Sequence, residues 1–193
     1  NAGSAGELVV AVMPIERGPA LELIVKLREA LSEDTGVAVR FKPHPLMQAD
    51  QLAAIFDKYP LKTHMSVVGG PMDELLPKTA CAVAAATTSA LEIALYGVPL
   101  VLVGRTTDFD ISPMAWFADF PTPVYSSVAL RNAIRAILAD PGDANRRARV
   151  WAEEHRRDCL SPLTDATVRA FVEPVTTVAG GDEGAFTVDE VRC

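Results

Sequence analysis

A chain of 193 residues, 49% hydrophobic and 22% charged, has the length of one domain or slightly more and enough apolar residues for a real core. Its formal net charge of -7 excludes a general attraction to DNA or RNA, while a local basic pocket for a small phosphate stays compatible with it. No apolar run approaches the roughly 18 residues of a membrane span, and the start lacks the basic-then-apolar layout of a secretory signal, so the chain reads as soluble and cytoplasmic.

In chain order, LVVAVMPI (8–15) is a continuous apolar run and predicts a buried strand. PALELIVKLREALSED (19–34) repeats apolar residues at helical spacing through Leu21, Ile24, Val25, Leu27 and Leu31. GVAVRF (36–41) predicts a second strand, which Pro43 and Pro45 end by removing two backbone donors. A helix over 48–59, a strand over 63–70 and a short helix over 72–79 follow. Next come a buried strand over 81–88, a helix over 89–97 closed by Gly97, and a strand over 98–104. After an irregular stretch, 105–122, a short strand PVYS (123–126) leads into helices over 128–140, 143–158 and 162–172.

Continuous apolar strands that alternate with helices require a parallel sheet covered on both faces, because parallel strands need crossover connections. The predicted fold is therefore α/β, a doubly wound, Rossmann-like three-layer sandwich spanning residues 7–174. Residues 1–6 read as a scar or linker, since the start lacks an initiator methionine, and 175–193 read as a loose tail or a strap on a neighbouring domain. The chain is thus expected to be one piece of a longer protein. Cys81, Cys159 and Cys193 are scattered, with none at CxxC spacing, which argues against a disulfide framework or a structural zinc site. Cys81 reads as core.

In doubly wound sheets ligands bind beyond the carboxyl ends of the strands. That rule nominates the loops at 16–19, 42–45, 69–72, 87–89 and 104–110. One of only three histidines, His44, stands between two prolines on a stiff turn, beside Lys42. It is either a structural histidine satisfied by nearby backbone or a donor to a phosphate or leaving group. His64, near a strand start, and His155, on the charged face EEHRR, read as structural or solvated. Thr87, Thr88 and Ser89 lie between a strand and a helix, where they either cap that helix or offer hydroxyls to an anion at its amino terminus. Glu92 stands at capping-box spacing from Ser89; it returns a bond to the cap or faces the crevice to accept ribose hydroxyls.

Gly69 and Gly70 allow close approach of a base or phosphate, or simply turn the chain into the helix that Met72 begins. Arg17 and Arg105 are cations on two further loops, with Asp108 and Asp110 beside the latter. Asp108-Phe109-Asp110 has DxD spacing, but its place in the fold does not make it a metal site, and no metal ligands are assigned. Neither GxGxxG nor GxxxxGK[ST] occurs, and HExxH and GxSxG are absent. The apolar 109–121 segment, with Trp116 and Phe117, reads as a lid, a membrane-surface contact or a face for another domain.

Together, the Lys42-Pro43-His44-Pro45 turn after the second strand and the segment from Thr88-Ser89-Ala90-Leu91-Glu92 to Tyr96-Gly97-Val98-Pro99 after the fourth resemble the carboxyl-terminal, donor-binding half of GT-B glycosyltransferases. The pairing of an HP element with a Ser/Thr-rich helix start is similar to bacterial sialyltransferases, polysialyltransferases and capsule Kdo transferases, which use CMP-activated sugars, and to teichoic-acid glycerophosphotransferases, which use CDP-glycerol. The resemblance covers about residues 7–140. It implies that His44 contacts the donor phosphate or assists departure of the nucleotide, that Thr88 and Ser89 bind phosphate, that the Gly69 to Met72 loop holds the base, and that Glu92 meets the ribose. It implies a nucleotide-activated sugar as substrate, no cofactor, a role in lipopolysaccharide or capsule synthesis with peripheral contact to the inner membrane, and a separate amino-terminal domain supplying the acceptor site and general base. Without that domain the chain should bind nucleotide weakly and catalyse nothing. The family's Ser-Ser is Thr87-Thr88-Ser89 here, which leaves open which hydroxyl binds phosphate.

Two other readings compete. A UDP-sugar 2-epimerase-like enzyme of the same fold would carry a Ser-Gly-Gly turn where Thr87-Thr88-Ser89 stands. A non-catalytic Rossmann-like interaction module would dock a partner on the 109–121 segment and use the His44 turn only structurally.

Overall fold

The computed structural model describes residues 8–33, 36–85, 87–105, 112–160, 164 and 169. The segments 1–6 and 175–193, most of the helix expected over 162–172, and the residues Asp108, Phe109 and Asp110 lie outside the described residues. The chain divides into two units, Asn1–Arg156 and Arg157–Cys193; the second begins in the last turn of a helix that ends at Cys159, and the fold below is that of the first.

Five strands, β1 (Leu8–Val12), β2 (Ala38–Lys42), β3 (Met65–Val67), β4 (Cys81–Ala84) and β5 (Leu100–Leu102), form one sheet in the order β3-β2-β1-β4-β5. Every pairing is parallel, with Val9 of β1 facing Val39 on one side and Cys81 on the other. Among the described residues the helices that accompany them are α1 (Arg17–Ala30), α2 (Ala49–Lys58), α3 (Met72–Leu75), α4 (Ser89–Tyr96), α5 (Ser127–Ala139) and α6 (Pro141–Cys159). The fold is the expected α/β Rossmann-like sandwich.

Alternation along each strand sends successive side chains to opposite faces and so builds two cores. On one face Val9, Ala11, Phe41 and Val83 pack with Leu23, Ile24 and Leu27 of α1 and with Leu130 and Ile134 of α5. On the other, Val10, Val12, Ala82 and Leu100 pack with Ala90, Ile93 and Ala94 of α4 and with Met114. Each fully buried Leu, Ile or Phe stabilises the fold by about 1.5–3 kcal/mol relative to exposure. β1, β4 and β5, apolar and buried on both faces almost throughout, are of the kind that a parallel sheet covered by helices requires.

Several boundaries differ from expectation. β1 ends at Val12 rather than at 15: Met13 N–H still donates to the Lys42 carbonyl at 2.9 Å, but Pro14 has no N–H with which to continue the ladder. α1 begins at Arg17, two residues early, and Pro19 is tolerated because a first-turn N–H has no partner within the helix. The strand expected over 123–126 is reduced to a single bridge, Val103 to Val124, and Pro121 and Pro123, both just before Val124, lack the N–H groups that would extend it in that direction. Gly97 closes α4 in the left-handed region, φ 87°, as its position implied.

Candidate functional site

The sheet grows outward from β1 through β2 to β3, then returns to place β4 on the other side of β1. Between β1 and β4 the connections leave toward opposite faces, and this reversal opens a crevice at the carboxyl ends of the strands. A cleft of about 210 Å³ lies at that edge. Its walls are the end of β1 (Val12, Met13), the turn after β2 (Lys42 to Pro45), the turn after β3 (Gly70, Pro71, Met72) and the start of α4 (Ser89, Glu92). Lys42, His44, Gly70, Met72, Ser89 and Glu92, each named from sequence, are therefore brought together.

His44 is held within its own turn. Its carbonyl accepts the Met47 N–H at 2.9 Å, and its Nδ1 accepts the Leu46 N–H at 3.1 Å. A nitrogen that accepts carries no hydrogen, so the neutral ring has its hydrogen on Nε2. Nε2 has no hydrogen-bond partner among the described residues. The turn thus serves both readings of His44, satisfying one ring nitrogen with backbone and leaving the other as a donor.

Gly70 has φ 85°, a conformation that side chains rarely adopt, and this left-handed turn carries the chain from β3 into α3. Gly69 is exposed, with nothing within 4 Å of where a Cβ would stand, so it crowds nothing and does not line the cleft.

The start of α4 is more fully satisfied than the sequence implied. Ala90 and Leu91 N–H groups bond the Thr87 and Thr88 carbonyls at 3.1 Å each, a tight first turn that occupies the donors an anion would otherwise use. Thr88 occupies the capping position but its side chain makes no capping bond. Thr87 Oγ1 instead accepts the Ser89 N–H, at a long 3.4 Å. Of the two readings of Glu92, the capping box with Ser89 is not formed among the described residues, and the exposed Glu92 side chain lines the cleft. Ser89 is the one of the three hydroxyl residues on the cleft wall.

Arg17 and Arg105 do not line it. Arg17 is exposed at the first position of α1. Arg105 Nε bonds Glu22 Oε2 at 2.7 Å, while Lys26 bonds Glu22 Oε1 at 2.7 Å and the Gly104 carbonyl at 3.0 Å. Two of the five nominated loops thus meet each other: a Cβ on Gly18 would stand 3.7 Å from the Arg105 guanidinium.

The 112–121 stretch is docked through Met114, Phe117 and Phe120. Met114 is buried, and the Phe117 and Phe120 rings meet Trp151 of α6 edge-on at 5.2 and 5.1 Å. Trp116 stays 84% exposed. His155, read as solvated or structural, stacks on Trp151 at 4.3 Å. His64 lies at the start of β3, its carbonyl accepting the Val39 N–H at 3.0 Å. No helix among the described residues is long and apolar enough to cross a membrane.

Fold and cleft together define an α/β Rossmann-like domain with a crevice at the carboxyl ends of its parallel strands. No family model matches the chain, and no curated protein sequence matches it. Solved structures do. The carboxyl-terminal CMP-Kdo binding domain of WaaA from Acinetobacter baumannii aligns with TM-score 0.57 at 12% identity, covering 78% of this chain and 89% of that one. MurG from the same organism aligns with TM-score 0.56 at 12% identity, covering 89% of this chain and 50% of MurG, so the chain spans about half of that protein. The catalytic domain of cholesterol-alpha-glucosyltransferase from Helicobacter pylori aligns with TM-score 0.53 at 15% identity, over 78% of this chain and 99% of that domain. At these identities the likeness is one of fold.

Proposed function

We propose that this chain is the donor-binding half of a glycosyltransferase of bacterial surface polysaccharide synthesis, taking a nucleotide-activated sugar with CMP as its nucleotide. The observation that carries the reading is the cleft over the sheet's reversal point, where the turn bearing Lys42 and His44 faces Ser89 and Glu92 of α4. The Lys-Pro-His-Pro turn supports CMP in particular, together with the fold likeness to a CMP-Kdo binding domain.

When a glycosyl group leaves, negative charge develops on the nucleotide phosphate, and groups aimed at that charge in advance lower the barrier. Because the first N–H groups of α4 are occupied, this work falls to side chains: the Nε2–H of His44 as hydrogen-bond donor or general acid, the Lys42 ammonium, and the Ser89 hydroxyl. Glu92, across the cleft, suits ribose hydroxyls, which donate to a carboxylate. The Gly70 to Met72 turn offers a glycine and a flexible apolar side chain to the base. The acceptor and the general base belong to another domain; exposed Ile15, Leu46 and Val67, just beyond β1 and β2 and at the end of β3, supply an apolar rim for it to close on.

The test is titration of the chain with CMP, UDP and GMP, followed by amide NMR shifts and repeated on His44→Ala. The reading expects shifts selective for CMP, clustered at residues 42–46, 70–72 and 89–92, and much reduced in the variant. Shifts with UDP alone would move the assignment to a UDP-sugar enzyme of the same fold. Silence at millimolar concentrations of all three would leave an interaction module.

A further inference from the structure

Away from the cleft, where the 112–121 stretch docks on α6, three metal-ligating side chains converge. One ligand atom each from Asp119, Glu154 and His155 lies within 4.8 Å of the others. The imidazole is oriented by its far nitrogen. Nδ1 lies 2.9 Å from the Trp151 carbonyl, and a carbonyl only accepts, so Nδ1 donates there and Nε2 is the ring nitrogen left for the carboxylates. Nε2 lies 3.4 Å from Asp119 Oδ2, with the Glu154 carboxylate beside them. Either a proton on Nε2 or a metal ion held by all three groups offsets the two carboxylates. The ring is also pre-set: it stacks on Trp151 at 4.3 Å and 15°, meets Phe117 edge-on at 5.2 Å, and keeps only 20% of its side chain exposed. Donation of the second ring N–H to a backbone carbonyl is how metal-binding imidazoles are oriented and made more basic.

Asp119 and Trp151 also line a largely apolar cavity of about 380 Å³, walled by β5, α5 and α6 through Leu100, Leu102, Ile137 and Ala148. We propose that Asp119, Glu154 and His155 bind a divalent transition-metal ion of the zinc type. One imidazole nitrogen and two carboxylates form a mixed N/O set suited to such an ion, whereas magnesium prefers oxygen alone and keeps its waters. Three protein ligands leave a fourth position for a water or a small anionic ligand. This site is independent of the donor-cleft reading.

The test is calorimetric titration with zinc chloride of the full chain in a Cys159→Ser/Cys193→Ser background, so that buried Cys81 is the one thiol left. The expected result is one saturable site, weakened about tenfold or more by each of Asp119→Asn, Glu154→Gln and His155→Gln, and unchanged by Glu153→Gln. Trp151 fluorescence, read in a Trp116→Phe background, should change on zinc addition and saturate at the same concentration. The carboxamide variants nearly preserve side-chain volume, and matched melting curves in metal-free buffer verify their folding. No saturable binding would overturn the proposal and leave an ion pair between His155 and Asp119 alone. Equal affinity in all three ligand variants would overturn it as well.

Discussion

His44 accepts the Leu46 backbone N–H on Nδ1 at 3.1 Å, and this one bond decides which ring nitrogen is left to donate. His44 lines a cleft together with Lys42, Ser89 and Glu92. Hydrogen bonds to a charged phosphate are worth about 1.5–3 kcal/mol, so His44→Ala should weaken CMP binding roughly tenfold to a hundredfold. Dissociation constants from the NMR titration measure this directly; equal constants for both proteins would remove His44 from the site.

Glu22 ties the end of β5 to α1 through Lys26 and Arg105, at 2.7 Å from each. Burial pushes its carboxyl up, but the bonds and charges of Lys26 and Arg105 outweigh burial and hold it below the ordinary value of 4.5. A depressed carboxyl contributes stability that is present above its unfolded value and is lost as pH falls through the folded one. The urea midpoint should therefore drop between pH 7 and about pH 3 by more in the parent than in Glu22→Gln. The variant should already be less stable at pH 7. Identical drops in the two proteins would exclude this contribution.

Gly104 has no room for a side chain: a Cβ would stand 2.5 Å from Tyr125 Cε1 and 3.0 Å from Pro123 Cβ. Tyr125 is half-exposed and can swing outward, so Gly104→Ala should cost near the low end of overpacking, about 1 kcal/mol. Most of that cost should vanish when Gly104→Ala is made in a Tyr125→Ala background. Melting temperatures of the four proteins in this cycle give the coupling, and strict additivity would show that the close approach has no energetic consequence.

Cys81 is fully buried in β4, and burial pushes its thiol up to about 12. The thiolate is the reactive form, so a thiol reagent at pH 8 should leave Cys81 unmodified in the native protein and label it only in denaturant. Rapid native labelling, located by peptide mass, would contradict its place in the core.

Much of this protein can be read locally. The apolar runs at β1, β2, β4 and β5, the helical spacing of α1 and α5, and the breaks made by Pro43, Pro45 and Gly97 follow from side-chain periodicity and proline and glycine sterics. These constraints act within a few residues and need no knowledge of the rest of the chain. They also carried the rule that ligands bind beyond the strands' carboxyl ends, and with it the turn holding Lys42 and His44.

Other features depend on which distant segments share the sheet and its two cores. The order β3-β2-β1-β4-β5 decided that the turns after β2 and β3 meet the start of α4, while the loops carrying Gly18 and Arg105 meet each other instead. Tertiary packing likewise brought Asp119 to Glu154 and His155 with no spacing signal to announce it. The sequence by itself determined most of the elements and the turns at the carboxyl edge of the sheet, because local sterics and periodicity suffice for that. Only the tertiary structure decided which side chains share a site, because that choice is made by burying both faces of the sheet at once.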